Sequence, residues 1–137
     1  MKTALDEARI GLGMGEVPIG AIIVAEGIII AKAHNLTETL KDSTAHAEML
    51  AITSAESHLA SKYLTGCTLY VTVEPCPMCA GAISWSQIGR VVYGCSDPKR
   101  GYSLFTPGLL PGGVEVTGQV MEEECSSLIV NFFKDKR

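Results

Sequence analysis

Two short stretches hold the residues best suited to chemistry: "TAHAEM", Thr44 to Met49, and "TVEPCPMCAGAIS", Thr72 to Ser84. The second sets Cys76 and Cys79 three apart in a proline frame. Such a pair suits a redox couple, half of a structural zinc knot, or part of a catalytic metal site. A thioredoxin-type pair follows the first strand–helix step, whereas this one lies past the middle of the chain. A structural zinc site needs four protein ligands, and Cys67, Cys95 and Cys125 offer no second pair at similar spacing. A catalytic site needs three protein ligands and leaves one position for water. Histidine would supply the third.

Of the three histidines, His58 lies late in a helix beside polar residues and reads as surface, while His34 ends a strand at a turn and reads as a loop histidine. His46 differs. The pattern places it in the first turn of a helix, as Cys76 is in its own, with Glu48 two residues on. Two helix starts at the ends of neighbouring strands can converge on one ion, where α/β sheets commonly hold ligands. Two thiolates in one helical turn and an imidazole then form a tripod, with Glu48 left to carry protons. Zinc brings the pKa of a bound water down to about 7, and a nearby carboxylate can pass that water's proton to a ring nitrogen and then to a leaving group. The combination describes hydrolytic deamination.

Residues 1–14 carry Ala4, Leu5, Ala8 and Leu12 at helical spacing. Two β-branched runs around Glu26-Gly27 predict a hairpin. A helix follows from "TAHAEMLAITSAESHL", with Ser43 or Thr44 as its cap, then a buried strand "CTLYVTV" and a helix from Cys76 to Gln87. "RVVYGC" is a further strand, residues 97–113 a Gly- and Pro-rich excursion, "GVEVTGQV" a last strand, and 121–136 a closing helix with an acidic start and basic end. The order α-β-β-α-β-α-β-β-α implies a mixed five-stranded sheet in a three-layer α/β/α arrangement.

Length and composition agree with one domain over residues 1–137, nearly half of them apolar. Residues 1–14 show no basic head before a long apolar block, and Glu26-Gly27 breaks the longest apolar run, so neither a signal peptide nor a membrane helix is expected. An odd count of five cysteines with one close pair is a poor disulfide framework and suits the cytoplasm; Cys67, Cys95 and Cys125 read as buried free thiols. The net charge of -4 argues against a general nucleic-acid binder, although Arg90, Lys99 and Arg100 make a local basic patch and Lys134, Lys136 and Arg137 close the chain.

H-x-E followed by P-C-x-x-C is a known signature of zinc nucleobase deaminases. "TAHAEM" and "VEPCPMCAGA" match it. "EVPIGAIIV", His34-Asn35, "TLYVTVEPC", "IGRVVYG", "DPKRG" and "EECSSLIVNFFKDKR" extend the likeness over nearly the whole chain. The sequence resembles the bacterial tRNA adenosine deaminase family of the cytidine and deoxycytidylate deaminase superfamily. The resemblance implies a cytidine deaminase-like fold and one Zn2+ per chain on His46, Cys76 and Cys79. It makes Glu48 the proton shuttle that converts a flipped-out adenine of a tRNA anticodon loop to inosine. It also implies a homodimer; Ile83, Trp85 and Ile88 are interface candidates on the ground of a large aromatic in a small-residue helix, and the short apolar runs and cysteine usage give the cytoplasm and no membrane association as expectations. By the same resemblance, Asn35 binds the nucleotide in the pocket or, as the alternative, is a turn residue at the hairpin exit; backbone groups around Ala47 and Pro75 border the base. Asp97, Lys99 and Arg100 lie on a loop near flanking RNA; Phe132, Phe133, Lys134 and Arg137 lie on a helix that helps hold the anticodon loop, with core packing of that helix as the alternative for the two phenylalanines.

The resemblance breaks after "DPKRG". There "YSLFTPGLLPGGVEV" replaces a run of small residues, and the asparagine-histidine pair before the last strand is missing. Deaminases of free guanine or cytosine carry the same metal box, so a free-base deaminase is the alternative enzyme. A non-catalytic zinc-bearing RNA-binding subunit is the alternative outside catalysis, and its mark would be loss of the carboxylate at position 48.

Overall fold

The computed structural model describes residues 1–105 and 108–136; Arg137, expected at the RNA-facing end of the last helix, lies outside them. The elements are α1 (Lys2–Gly13), β1 (Gly20–Ala25), β2 (Ile28–His34), α2 (Thr37–Leu40), α3 (Ala47–Leu59), β3 (Thr68–Val73), α4 (Pro77–Ser86), β4 (Arg90–Cys95), a 3-10 turn (Tyr102–Leu104), β5 (Glu115–Thr117) and α5 (Glu122–Asp135). They build one sheet in the order β2-β1-β3-β4-β5. β1 runs antiparallel to β2 and β3, whereas β3, β4 and β5 are parallel, so the sheet is mixed as expected.

The hairpin turns at Glu26 (φ 50°) and Gly27 (φ 77°). Two consecutive positive φ angles give the tight turn whose twist matches antiparallel strands. Strand alternation then sorts residues to the two faces. Ala21, Ile23, Leu69, Val71 and Val91 join Ala47, Ala51 and Ala55 of α3 and Ile83 of α4 in the main core. The alanines at i, i+4 and i+8 let α3 lie close on the sheet. Burying each leucine, isoleucine or valine there contributes about 1.5–3 kcal/mol. On the opposite face Gly20 meets α1, where a side chain would collide with the backbone of Ala4 and Ala8, and Gly94 meets Cys125 of α5. The result is a three-layer α/β/α arrangement.

Four local expectations need correction. Thr44 does not cap α3; its N–H and hydroxyl donate to Asp42 Oδ1 at 2.8 Å each, and His46 takes the cap position. The last strand is only Glu115–Thr117, because Gly118 and Gln119 (φ 63°) turn away from the ladder. α2 was missed: "TETL" is too short to show a period, and the buried Glu16 carboxylate fixes it by accepting from the N–H groups of Glu38 and Thr39. Ile83 and Ile88 are core residues, since their positions on and after α4 face the sheet; of the three interface candidates, only Trp85 is exposed.

Candidate metal centre

His46 and Cys76 occupy equivalent places: each is the N-cap of its helix, with extended backbone and no capping hydrogen bond from its own side chain. Their side chains are thereby free to turn toward each other beyond the ends of β1 and β3. Pro77 opens α4 with φ preset for a helix, which puts Cys79 one turn from Cys76 on the same side. Nδ1 of His46 stands 3.6 Å from Sγ of Cys76 and 3.6 Å from Sγ of Cys79. The three donor atoms all lie within 4.8 Å of one another.

The fit to zinc can be tested from bond lengths. A tetrahedral ion with Zn–N of about 2.05 Å and Zn–S of about 2.3 Å holds nitrogen and sulfur about 3.6 Å apart. Both nitrogen–sulfur separations have that value. The donor set, one borderline imidazole and two soft thiolates, is also the set zinc accepts.

The three donors perturb one another's protonation. The hydrogen bond from Cys79, helped by His46, holds the Cys76 thiol down to about 4, and the same interaction raises Cys79. His46 is raised, chiefly by its hydrogen bond to Cys76. Both helix N-termini add positive potential here. Glu48, in the first turn of α3, is only 4% exposed, and burial pushes its carboxyl up to about 7. A buried carboxyl tuned near neutrality can both take and give a proton.

The other expected residues divide. Ala47 is the buried first residue of α3, and Pro75 is fully buried with its carbonyl accepting from Tyr102 N–H at 2.9 Å. Asn35 is buried after β2, its N–H donating to Ile19 O and its Nδ2 to Thr37 Oγ1 at 3.3 Å. Asp97 builds the turn of its loop, accepting from the N–H groups of Lys99 and Arg100 at 3.0 Å each. Lys99 and Arg100 are exposed, and the Arg100 guanidinium is near enough to His46 to oppose its protonation. His34 is not a loop histidine: its Nδ1 pairs with Glu7 of α1 at 3.1 Å. His58 is exposed at the end of α3. Phe132 and Phe133 stack edge to face at 5.2 Å, the first half-buried and the second exposed, so Cys125, Leu128 and Ile129 pack α5 instead.

Two buried carboxylates were missed, Glu16 and Glu74. Glu74 holds Asp97 and Ser103, as Glu16 holds α2. Their one sequence signal is an acidic residue beside apolar strand residues and a proline.

Residues 1–137 match the MafB19-like deaminase family. The tRNA-specific adenosine deaminase of Bacillus subtilis (strain 168) is 49% identical over 100% of this chain and 88% of its own length. That of Aquifex aeolicus (strain VF5) is 48% identical over 100% and 93%. A structure from studies of A-to-I editing by tRNA:A34 deaminases at the wobble position superposes with a TM-score of 0.88 at 41% identity, covering 93% of this chain and 96% of that one. Guanine deaminase from Bacillus subtilis gives a TM-score of 0.67 at 43% identity, over 69% of this chain and 61% of its own.

Proposed function

Because this chain belongs to the MafB19-like deaminase family and is matched end to end by tRNA-specific adenosine deaminases, we propose that it is a zinc-dependent hydrolase converting adenosine to inosine at the tRNA wobble position. The observation that carries the chemistry is the His46–Cys76–Cys79 tripod, at zinc-like separations, with the buried Glu48 carboxyl beside it. His46, Cys76 and Cys79 hold one zinc per chain. When bound, that ion supplies the Lewis acid that makes water acidic enough to ionise near neutral pH.

The remaining work belongs to side chains. Glu48 takes one proton of the attacking water and delivers it to N1 of adenine, then carries the second, from the hydroxyl added at C6, to the amino group, which departs as ammonia. Its burial keeps bulk water from competing for that proton. Asn35, Ala47 and the segment at Pro75 border the extruded base, and Asp97 and Lys99 set the loop that meets neighbouring nucleotides. RNA loops are commonly read through such splayed bases. Glu48 is present, which separates this chain from a non-catalytic subunit.

The enzyme works as a cytoplasmic homodimer. Trp85, 85% exposed on α4 beside the exposed Tyr63, supports that reading, since a large aromatic face is costly to leave in water. No helix among the described residues is long and apolar enough to cross a membrane.

The reading favouring a free base rests on the guanine deaminase likeness, which covers a smaller share of both chains. The deciding experiment offers the zinc-loaded protein an anticodon stem-loop with wobble adenosine beside free adenine, guanine, cytosine and their nucleosides. Inosine in the stem-loop alone is expected; xanthine from guanine without inosine overturns the assignment.

A further inference from the structure

Glu74 sits two residues before Cys76, and its side chain is 4% exposed. A carboxylate is an expensive group to bury, and an apolar residue would end β3 at less cost. What it has there are donors from one loop. Oε1 accepts from Asp97 N–H at 3.1 Å, and Oε2 accepts from Ser103 N–H at 3.0 Å and from Ser103 Oγ at 2.6 Å.

The same loop is fitted around it. Gly101 lies against the carboxylate so closely that any β-carbon there would overlap it. Tyr102 N–H, next in sequence, donates to Pro75 O. Asp97 shapes the interior of the loop, and the exposed Lys99 and Arg100 stand on its outer side. No hydrogen bond of Glu74 goes to the metal ligands. Its carboxylate therefore serves the loop rather than the tripod.

We propose that Glu74 is a positioning residue for the RNA substrate, clamping residues 97–103 to the segment that carries Cys76 so that Lys99 and Arg100 are fixed at the rim of the metal site before RNA arrives. The proposal rests on the reading of RNA as substrate. Fixing the loop in advance removes an ordering cost that substrate binding would otherwise bear. Glutamine cannot replace Glu74. The two N–H groups approach different oxygens, and a glutamine has one, so one buried donor loses its acceptor.

The test compares zinc-loaded wild type, Glu74→Gln and Ser103→Ala by zinc content, amide hydrogen exchange at Asp97 and Ser103, and kcat and KM on the anticodon stem-loop. In Glu74→Gln, zinc content should be unchanged, exchange at both amides should speed up, and KM should rise on the order of tenfold while kcat stays within about threefold. Ser103→Ala, which removes one donor from an exposed residue, should shift KM in the same direction by less, and it carries the test if Glu74→Gln does not fold. Unchanged exchange in a folded variant overturns the clamp, as does loss of zinc with kcat and KM moving together. Faster exchange with KM unchanged overturns the link to substrate. A wild type that leaves the stem-loop untouched sinks the RNA reading and this role in RNA placement, while exchange at 97 and 103 still decides the clamp.

Discussion

Nδ1 of His46 and Sγ of Cys76 lie 3.6 Å apart although 30 residues separate them in the chain. One crossover, through α3 and β3, and two helix starts bring them there, and an ion between them would close that span. Purified protein should therefore contain about one zinc per chain, and chelation should abolish activity and lower the melting temperature. Cys79→Ala should lose the metal, while His34→Ala and His58→Ala keep it. Metal analysis of the four proteins checks this, and zinc loss in His58→Ala would redirect the ligand assignment.

Glu48→Gln should keep zinc and fold but lose about 10²–10⁴-fold in kcat, the usual weight of a positioned proton carrier. Single-turnover rates on the stem-loop, with metal content measured in parallel, decide it. Normal turnover would remove Glu48 from the chemistry.

Glu16 gives a pH signature away from the site. Burial raises its pKa, but its hydrogen bonds with Thr39 and Glu38 more than offset this, and the net shift is downward. A lowered folded-state pKa means stability present above the ordinary carboxylate value and lost as pH falls through the folded value. Glu16→Gln should cost about 1–3 kcal/mol near neutral pH by leaving a buried donor unmatched. Denaturant midpoints should show the gap to wild type narrowing in acid; a gap that persists there would mean the charge is irrelevant.

Ala60 closes α3 in the left-handed region, at φ 51° and ψ 43°. A β-carbon is strained there, and glycine is not. Ala60→Gly should therefore raise stability by about 1 kcal/mol, read as a shift in thermal or urea midpoint. A decrease would show that the alanine makes a compensating contact.

Trp85→Arg should leave zinc content and melting temperature near wild type, since the side chain is almost wholly in solvent, while shifting sedimentation toward monomer. An unchanged sedimentation profile would place any dimer contact elsewhere.

Much of this architecture was legible from residues alone, for physical reasons. Glu26-Gly27 between β-branched runs has few folds open to it other than a hairpin. His46 and Cys76, each heading a helix, could be paired because helix starts after strands gather on one side of an α/β sheet. Asp42 was illegible as the partner of Thr44, because a side chain that caps a turn looks the same in sequence as one that caps a helix. Glu16 and Glu74 were illegible because a buried carboxylate is recognised by its donors. Those donors are backbone N–H groups of segments more than 20 residues away. Ile83 and Ile88 were misjudged beside Trp85 because a short helix rich in small residues has no apolar stripe to show which side faces the sheet.

The strand order has a consequence for synthesis. β1 lies between β2 and β3, yet β3 begins about 40 residues after β1 ends. At roughly 5–20 residues per second, a chain leaving the ribosome carries one unpaired edge of β1, with Ile23 on it, for several seconds. Open apolar edges of that kind invite pairing with other chains. The arrival of β3 closes the edge and, with the next few residues, brings Cys76 toward His46. Protection of the nascent sheet and assembly of the His46–Cys76–Cys79 cluster are thus completed by the same stretch of chain.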